Sequence, residues 1–225
     1  MPRFAVILPA AGRSTRFGDP KQKKIYADLD GRAVWLRAAE PFVNREDVGQ
    51  ILLAIAPEDR ELFERRYRPN VAFLNIKVLE GGAERADSIA NALEAADPSC
   101  DFVAVHDAAR PCLTGELVDA VFSAAITHGA AILAVPVADT LKRADADGMI
   151  VETVSRSGLY GAQTPQVFRR DLLMQAYANR SRVPGSATDD ALLVEAMGHP
   201  VHVVAGSPMN LKITTAADLR LAAAI

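Results

Sequence analysis

The chain has 225 residues, of which 50% are hydrophobic and 24% are charged, and its formal net charge at neutral pH is −3. This is the composition of a globular protein with one sizeable core, and the weakly acidic balance argues against a broad surface for nucleic acid or membranes. Neither Cys100 nor Cys112 lies in a metal-ligand spacing, so the sequence predicts a reduced, cytoplasmic protein without a structural zinc site.

The first predicted element is an apolar strand at residues 4–10. It is too short to span a bilayer and reaches Arg13 without a cleavage region, so we expect neither a transmembrane helix nor a signal peptide. Similar apolar runs follow at residues 50–56, 76–82, 101–108, 130–138 and 201–206. Patterns of helix length lie at residues 57–67, 84–96, 115–129, 169–180, 188–198 and 215–224. Because the strand patterns are continuous and separated by helices, they predict a single α/β domain over residues 1–225, with a Rossmann-like, mostly parallel sheet covered by helices on both faces.

One stretch, residues 137–158, breaks this alternation. It is typical of two extended segments around a turn at Asp147-Gly148. A hairpin of two strands is marginal on its own in water, so we expect it to pack on another surface. A second copy of the chain is the simplest candidate. The sequence therefore predicts a protruding β-arm that forms a homodimer.

The residues that follow the strands are the candidate site, because parallel sheets bind ligands beyond the carboxyl ends of their strands. The first strand continues into small residues and then into residues 13–24, which include five lysines and arginines. Small residues let backbone N–H groups approach a ligand, and arginines suit polyphosphate. Ser14 and Phe17 exclude a dinucleotide fingerprint and a Walker loop, respectively. A tight turn with solvated charges explains this stretch equally well when it is taken alone.

Two further strand ends carry groups that suit a nucleotide. Gly82 would let the backbone approach a flat base, and Ser88 lies one helical turn beyond Arg85. Asp107 directly follows an apolar strand, where a carboxylate can hold Mg²⁺ beside a triphosphate. Helix capping alone could explain either cluster. His106 is less suited as a general base, because adjacent residues in a strand point to opposite faces.

Seven motifs occur in an order that is typical of one enzyme family. They are LPAAGRSTRFGDPKQ (8–22), GGxxRxxS (81–88), VHDAARP (105–111), DTLKR (139–143), TPQVF (164–168), ATDDA (187–191) and NLKIT (210–214). Together, from residue 4 to about residue 220, they resemble the 2-C-methyl-D-erythritol 4-phosphate cytidylyltransferases of the non-mevalonate isoprenoid pathway. The resemblance implies a fold of the nucleotide-diphospho-sugar transferase type. It also implies transfer of a cytidylyl group from CTP to methylerythritol phosphate, with release of pyrophosphate.

The resemblance implies roles for particular residues. Arg16 and Lys21 would hold the triphosphate and stabilise the departing pyrophosphate, and Lys212 would face the α-phosphate. Asp107 would hold Mg²⁺ or another divalent cation. The nucleotide-binding residues would be Pro9, Ala10, Ala11, Gly12, Gly82, Ser88 and Ala108. The residues for the second substrate would be Arg110, Thr140, Arg156, Thr164, Thr188 and Asp189, with the arm completing the site of a neighbouring subunit.

Some basic residues stay without a role, and two positions depart from the family pattern. Arg13, Lys23 and Lys24 have no assigned chemistry. Ser14 stands where relatives usually carry glycine, which implies a different turn or an added hydroxyl near the phosphates. Ala83 is less polar than the residue in some relatives.

The predicted reaction needs no general base, because a phosphate monoester is already mostly dianionic near neutral pH. Catalysis then consists of aligning two anions and neutralising their charge. Three alternatives remain open. A cytidylyltransferase for ribitol 5-phosphate or another polyol phosphate would carry the same motifs. A sugar 1-phosphate nucleotidyltransferase fits VHDAARP and the arm less well, and a nucleotide-binding module without turnover would retain the same cations.

Overall fold

The computed structural model describes residues 1–17, 23–183 and 187–225. The strands are β1 (Phe4–Ala10), β2 (Asp28–Leu29), β3 (Arg32–Ala33), β4 (Val48–Ile55), β5 (Ile76–Glu80), β6 (Phe102–Val105), β7 (Ala130–Pro136), β8 (Leu141–Ala144), β9 (Ile150–Val154), β10 (Tyr160–Arg169) and β11 (His202–Ala205). The α-helices are α1 (Val34–Ala39), α2 (Arg60–Phe73), α3 (Arg85–Glu94), α4 (Gly115–His128), α5 (Arg170–Ala178), α6 (Asp190–Glu195) and α7 (Ala216–Ala222). Short 3₁₀ helices lie at Thr15–Phe17, Lys24–Tyr26, Glu40–Phe42, Pro57–Asp59 and Arg180–Arg182.

Within the described ranges, seven strands form one sheet in the order β11-β7-β10-β6-β1-β4-β5. The pairs β1–β4, β1–β6, β4–β5 and β7–β11 are parallel, whereas β10 runs antiparallel to both of its neighbours. The predicted mostly parallel α/β sheet is confirmed. Since β1, β4, β5 and β6 run in one direction, the loops that follow them meet at one edge of the sheet.

The continuous apolar strands are explained by helices that cover both faces of the sheet. Along β1, Phe4, Val6 and Leu8 pack into one core with residues of α1, α2 and α4. The alternate residues Ala5 and Ile7 pack into a second core with residues of α3, α5 and α6. Full burial of a side chain of Val, Leu, Ile or Phe contributes about 1.5–3 kcal/mol, so one polar substitution on β1 would weaken either core.

The sequence patterns did not predict β10. Its motif was recognised, but its polar residues Gln163, Thr164 and Gln166 interrupt the apolar pattern that marks a covered strand. All three are buried, because they form hydrogen bonds to the loops around the strand. Polar side chains can be buried when hydrogen bonds offset the loss of water, but such burial leaves no periodic signal in the sequence.

The hairpin that the sequence predicts forms from β8 and β9, which pair with each other in an antiparallel sheet of two strands. Gly148 has the left-handed backbone that the turn requires, with φ of +83°. The Asp145 side chain accepts backbone hydrogen bonds from Asp147 and Met149 and so closes the turn. Among the described residues, none of the helices has both the length and the apolar character needed to cross a bilayer.

Candidate active site

A cavity of about 410 Å³ opens at the edge where the parallel strands end. Its walls come from the loops that follow β1, β4, β5 and β6, and from Lys212 in the segment before α7. All seven residues that the sequence predicts to bind the nucleotide line this cavity: Pro9, Ala10, Ala11, Gly12, Gly82, Ser88 and Ala108. Asp107 lines it as well. The structure therefore brings the nucleotide motifs and the predicted metal carboxylate to one place.

The loop after β5 packs so closely against the loop after β1 and against the first turn of α3 that two glycines are required. A Cβ on Gly81 would lie 2.5 Å from the Cβ of Ala11, and one on Gly82 would lie 2.2 Å from the Cβ of Asp87. Ser88 Oγ accepts a hydrogen bond from the Gly82 N–H at 3.0 Å and donates one to the Glu84 carbonyl at 3.1 Å. The Ser88 hydroxyl thus shapes the loop and leaves the Gly82 backbone facing the cavity.

The loop after β1 contains a residue in an uncommon backbone conformation. Ser14 has a φ of +56°, in the left-handed region that favours glycine. Its carbonyl accepts the Phe17 N–H at 2.9 Å, and its Oγ accepts the Lys24 N–H at 3.2 Å. The loop therefore makes its turn without glycine at this position, and the serine hydroxyl forms a contact that glycine could not make.

Asp107 lies at the wall of the cavity and interacts with three cations. Its carboxylate lies 2.7 Å from Lys212 Nζ, 3.3 Å from Arg85 Nε and 3.7 Å from Arg110 Nε. Burial alone would raise the pKa of the Asp107 carboxyl, but the charges of these three cations outweigh it and hold the pKa well below its usual range. Asp107 is therefore ionised at any physiological pH, although it is only 7% exposed.

Two cations of the site had no role in the sequence analysis. Lys24 lines the cavity, and burial together with the positive charge of Lys212 lowers the pKa of its ammonium to about 8. Its neighbour Lys23 is instead bound by Glu58 and Asp59, at 3.0 and 2.7 Å. The sequence shows two adjacent lysines but not these acidic partners, which lie 35 and 36 residues further along. Only the folded chain distinguishes the cavity lysine from the paired one.

Arg85 is the second missed cation. It joins Asp107 to Asp190 at the start of α6, where its Nη2 donates to Asp190 Oδ2 at 2.8 Å. Burial would lower the pKa of Arg85, but the charges of Asp190 and Asp107 raise it above its ordinary value. Asp190 is fully buried and also accepts a hydrogen bond from the Tyr177 hydroxyl at 2.5 Å. The GGxxRxxS spacing was the available signal, since it places Arg85 at the start of α3.

Arg16 is exposed in the 3₁₀ helix Thr15–Phe17, and its positive charge also contributes to the lowered pKa of Lys24. Lys21, with the rest of the PKQ motif, lies outside the described residues. His106 is completely buried, with its ring nitrogens 3.1 Å from the Arg110 carbonyl and 3.1 Å from Thr164 Oγ1. Burial lowers the pKa of His106 to about 4, so it is a neutral part of the core.

The residues predicted for the second substrate fall into two groups. Arg110 and Thr164 are buried beside Asp107, where Arg110 donates to the Asn210 carbonyl at 2.7 Å and Thr164 Oγ1 accepts the Asp107 N–H at 3.0 Å. Asp189 caps α6 by accepting the Leu192 N–H at 3.1 Å, and the adjacent Thr188 is exposed. Thr140 and Arg156 are exposed at the end of the hairpin away from its turn, and the structure does not bring them to the cavity of their own chain.

Comparisons with known proteins agree with the fold. The family model for 2-C-methyl-D-erythritol 4-phosphate cytidylyltransferase matches residues 4–225. A protein of that name from Rhodopirellula baltica is 46% identical over 98% of this chain and 93% of its own length, and one from Pelotomaculum thermopropionicum is 40% identical over 100% and 94%. The crystal structure of that enzyme from Thermus thermophilus superposes with a TM-score of 0.81 at 36% identity, covering 100% of this chain and 98% of the other. The chain therefore belongs to the 2-C-methyl-D-erythritol 4-phosphate cytidylyltransferase family and is a nucleotidyltransferase.

Proposed function

We propose that this enzyme transfers the cytidylyl group of CTP to 2-C-methyl-D-erythritol 4-phosphate, giving 4-diphosphocytidyl-2-C-methyl-D-erythritol and pyrophosphate. The observation that carries the proposal is one cavity in which the nucleotide motifs meet an ionised carboxylate and the ammonium groups of Lys24 and Lys212. Membership of the family supplies the identity of the two substrates.

The reaction is a displacement at phosphorus. A phosphate oxygen of the second substrate attacks the α-phosphorus of CTP, and the bond between that phosphorus and the oxygen bridging to the β-phosphate breaks. Pyrophosphate leaves with the electron pair. The attacking phosphate is already ionised, so no side chain has to remove a proton, in keeping with the neutral, buried His106. The enzyme contributes alignment of the two anions and positive charge at the α-phosphate and the leaving group.

The cations take separate parts of the triphosphate in this proposal. Lys212 stabilises the α-phosphoryl transition state, and Arg16 with Lys24 holds the β- and γ-phosphates as pyrophosphate departs. The supporting observation is that Lys24 and Lys212 line one cavity and lie close enough for the charge of Lys212 to lower the pKa of Lys24. Lys21 remains a predicted member of this group from the sequence.

The cytosine and ribose lie against the backbone at Gly82 and between the loops that follow β1 and β6. The position of Gly82 in the cavity wall supports this placement, because glycine has no side chain to separate its backbone from a base. Ser88 contributes by fixing the Gly82 backbone rather than by offering its hydroxyl to the base.

Asp107 fits a divalent cation that is bound mainly through the substrate. Among the residues that the structure describes, no three His, Cys, Asp or Glu side chains cluster as metal ligands, so the protein would contribute Asp107. Mg²⁺ is commonly held by one or two carboxylates together with substrate phosphates and water. When bound there, the ion supplies neutralisation of phosphate charge. Asp107 meanwhile keeps Lys212 beside the α-phosphate through their 2.7 Å ion pair.

The second substrate would bind where two chains meet. We infer that the enzyme is a single-domain homodimer whose arm reaches the neighbouring subunit, so that Thr140 and Arg156 complete a site formed by Arg110, Thr164, Thr188 and Asp189. Support comes from the exposure of both arm residues and from their common position at one end of the hairpin. The two free cysteines support a reducing, cytoplasmic compartment.

The decisive experiment measures pyrophosphate release with Mg²⁺ and each of the four ribonucleoside triphosphates, against methylerythritol phosphate and ribitol 5-phosphate. We expect rapid release only with CTP and methylerythritol phosphate, and loss of about 10²–10³-fold in kcat for Lys212→Ala. Rapid release with ribitol 5-phosphate and none with methylerythritol phosphate would overturn the assignment. CTP binding without turnover on either acceptor would indicate a nucleotide-binding module instead.

A further inference from the structure

We propose that Ser14 is a positioning residue whose hydroxyl ties the backbone of Lys24 to the loop after β1 and so fixes where the Lys24 ammonium meets the triphosphate. The proposal rests on the assignment of Lys24 to CTP made above. It gives a role in the reaction to the side chain of a residue whose backbone conformation favours glycine.

The backbone at Ser14 has a conformation that glycine adopts more readily than serine. A φ of +56° is readily adopted by glycine and is unfavourable for a residue with a Cβ. The turn itself is closed by the Ser14 carbonyl and the Phe17 N–H, and glycine would make that hydrogen bond equally well. What serine adds is the hydroxyl, which accepts the Lys24 N–H at 3.2 Å.

The Lys24 N–H needs a partner from outside its own helix. Lys24 is the first residue of the 3₁₀ helix Lys24–Tyr26, and the first N–H groups of a helix have no partner within it. Ser14, ten residues earlier in the chain, supplies the acceptor. The hydrogen bond therefore connects the loop after β1 directly to Lys24, whose ammonium lies in the cavity.

A second segment of the chain also holds this short helix. Lys23 is paired with Glu58 and Asp59, and the Tyr26 hydroxyl donates to Asp59 at 3.1 Å. These contacts attach the helix to the segment after β4, whereas Ser14 attaches it to the segment after β1. Lys24 lies between the two attachments, with its side chain in the cavity. A displacement of about 1 Å in a charged group at an active site can reduce turnover substantially. We therefore expect the attachment through Ser14 to affect the rate.

Three substitutions at Ser14 separate the effect of the hydroxyl group from the effect of the left-handed backbone. Ser14→Gly relaxes the left-handed backbone but removes the hydrogen bond, Ser14→Ala removes it and keeps the strain, and Ser14→Asn tolerates the left-handed backbone and keeps a side-chain acceptor. We expect kcat/KM for CTP to fall about fivefold in the glycine and alanine variants, the size of effect that one lost hydrogen bond gives. The asparagine variant should stay within about twofold of the wild type. Thr15→Ala, which removes an exposed hydroxyl from the same loop, is the matched control and should be unchanged.

A double-mutant cycle with Lys24→Ala tests whether Ser14 acts through Lys24. We expect Ser14→Gly to have no further effect on kcat/KM once Lys24 is alanine, with each Ser14 variant shown by circular dichroism to be folded at the assay temperature. Wild-type or higher activity for Ser14→Gly beside an impaired Lys24→Ala would overturn the role of Ser14 alone. Equal losses from Ser14→Gly in both backgrounds would also overturn it. A fully active Lys24→Ala enzyme would instead remove the assignment of Lys24 on which the proposal rests.

Discussion

Lys24 combines a partly buried ammonium with a nearby positive charge. Burial and Lys212 lower the pKa of Lys24 to about 8, so its proton is lost within the range in which enzymes are assayed. Below pH 8 the ammonium is charged and can hold a phosphate. Above pH 8 an increasing fraction of the free enzyme lacks this charge. The position of Lys24 therefore predicts a pH dependence that the other cations of the triphosphate site need not share.

We expect kcat/KM for CTP to fall above pH 8 and to approach a tenfold loss per pH unit, because this parameter reports ionisation of the free enzyme. The phosphates of both substrates are fully ionised there, so they do not contribute to the change. Lys24→Arg keeps its charge to much higher pH and should remove the fall between pH 8 and 9.5. The measurement is kcat/KM for CTP from steady-state rates of both enzymes across that range, with the stability of each protein checked at every pH. A parallel fall in both enzymes would show that another group titrates.

Among the elements, α3 and α6 are joined by a buried ion pair rather than by apolar packing alone. Arg85 begins α3 and Asp190 begins α6, and their side chains meet at 2.8 Å beside Tyr177 of α5. Through its second contact, to Asp107, Arg85 also links this junction to the cavity. The pair thus connects the segment proposed to bind the second substrate with the carboxylate proposed to hold the metal ion.

Asp190→Asn should lower the free energy of unfolding by about 3 kcal/mol, because it leaves the Arg85 charge partly buried with one anion fewer. The measurement is equilibrium unfolding in urea. Glu64→Gln is the matched control, since it removes a carboxylate from an exposed ion pair with Arg60 on α2. That change should alter the free energy of unfolding by less than about 0.5 kcal/mol. A loss for Asp190→Asn no larger than that of the control would show that the buried pair does not stabilise the junction.

The elements that could be predicted are those whose residues carry a periodic signal. Residues 4–10 and 130–138 are apolar throughout because helices cover both faces, and the structure has β1 and β7 at these positions. By contrast, β10 could not be predicted, since Gln163 and Gln166 are buried through hydrogen bonds that only the folded chain provides.

In the site, too, the sequence pattern could place some residues but could not show the contacts between distant ones. Parallel strands carry the residues at their ends to a common edge, so Gly82 and Asp107 could be placed in the cavity from the sequence. The choice between Lys23 and Lys24 depends on Glu58 and Asp59, and the sequence does not show that these carboxylates meet Lys23. The contact between Ser14 and Lys24 depends on a left-handed backbone that serine seldom adopts. The sequence pattern therefore located the site, but it did not show which side chains contact each other there.

At the scale of the whole molecule, the hairpin exposes apolar side chains that would be covered in a dimer. Met149, Ile150 and Val151 are 68%, 65% and 63% exposed and directly follow the turn at Gly148. Adjacent exposed side chains of this type are typical of a surface that binds another protein. At the other end of the hairpin lie Thr140 and Arg156, for which the resemblance implies contact with the substrate of a neighbouring subunit. Dimer formation and completion of the neighbouring subunit's site would then both depend on the hairpin of β8 and β9.

This arrangement predicts that two inactive chains restore each other. Arg156→Ala removes the residue donated to the partner, whereas Lys212→Ala disables the site within its own chain. In a mixed dimer, the cavity of the Arg156→Ala chain keeps its Lys212 and receives an intact Arg156 from the other subunit. Random exchange should therefore restore roughly a quarter of the wild-type activity, since half of the dimers are mixed and each has one complete site. Differently tagged chains, co-purified after exchange, show that mixed dimers have formed. Verified mixed dimers without activity would mean that Arg156 serves its own chain, and that the arm joins subunits without completing their sites.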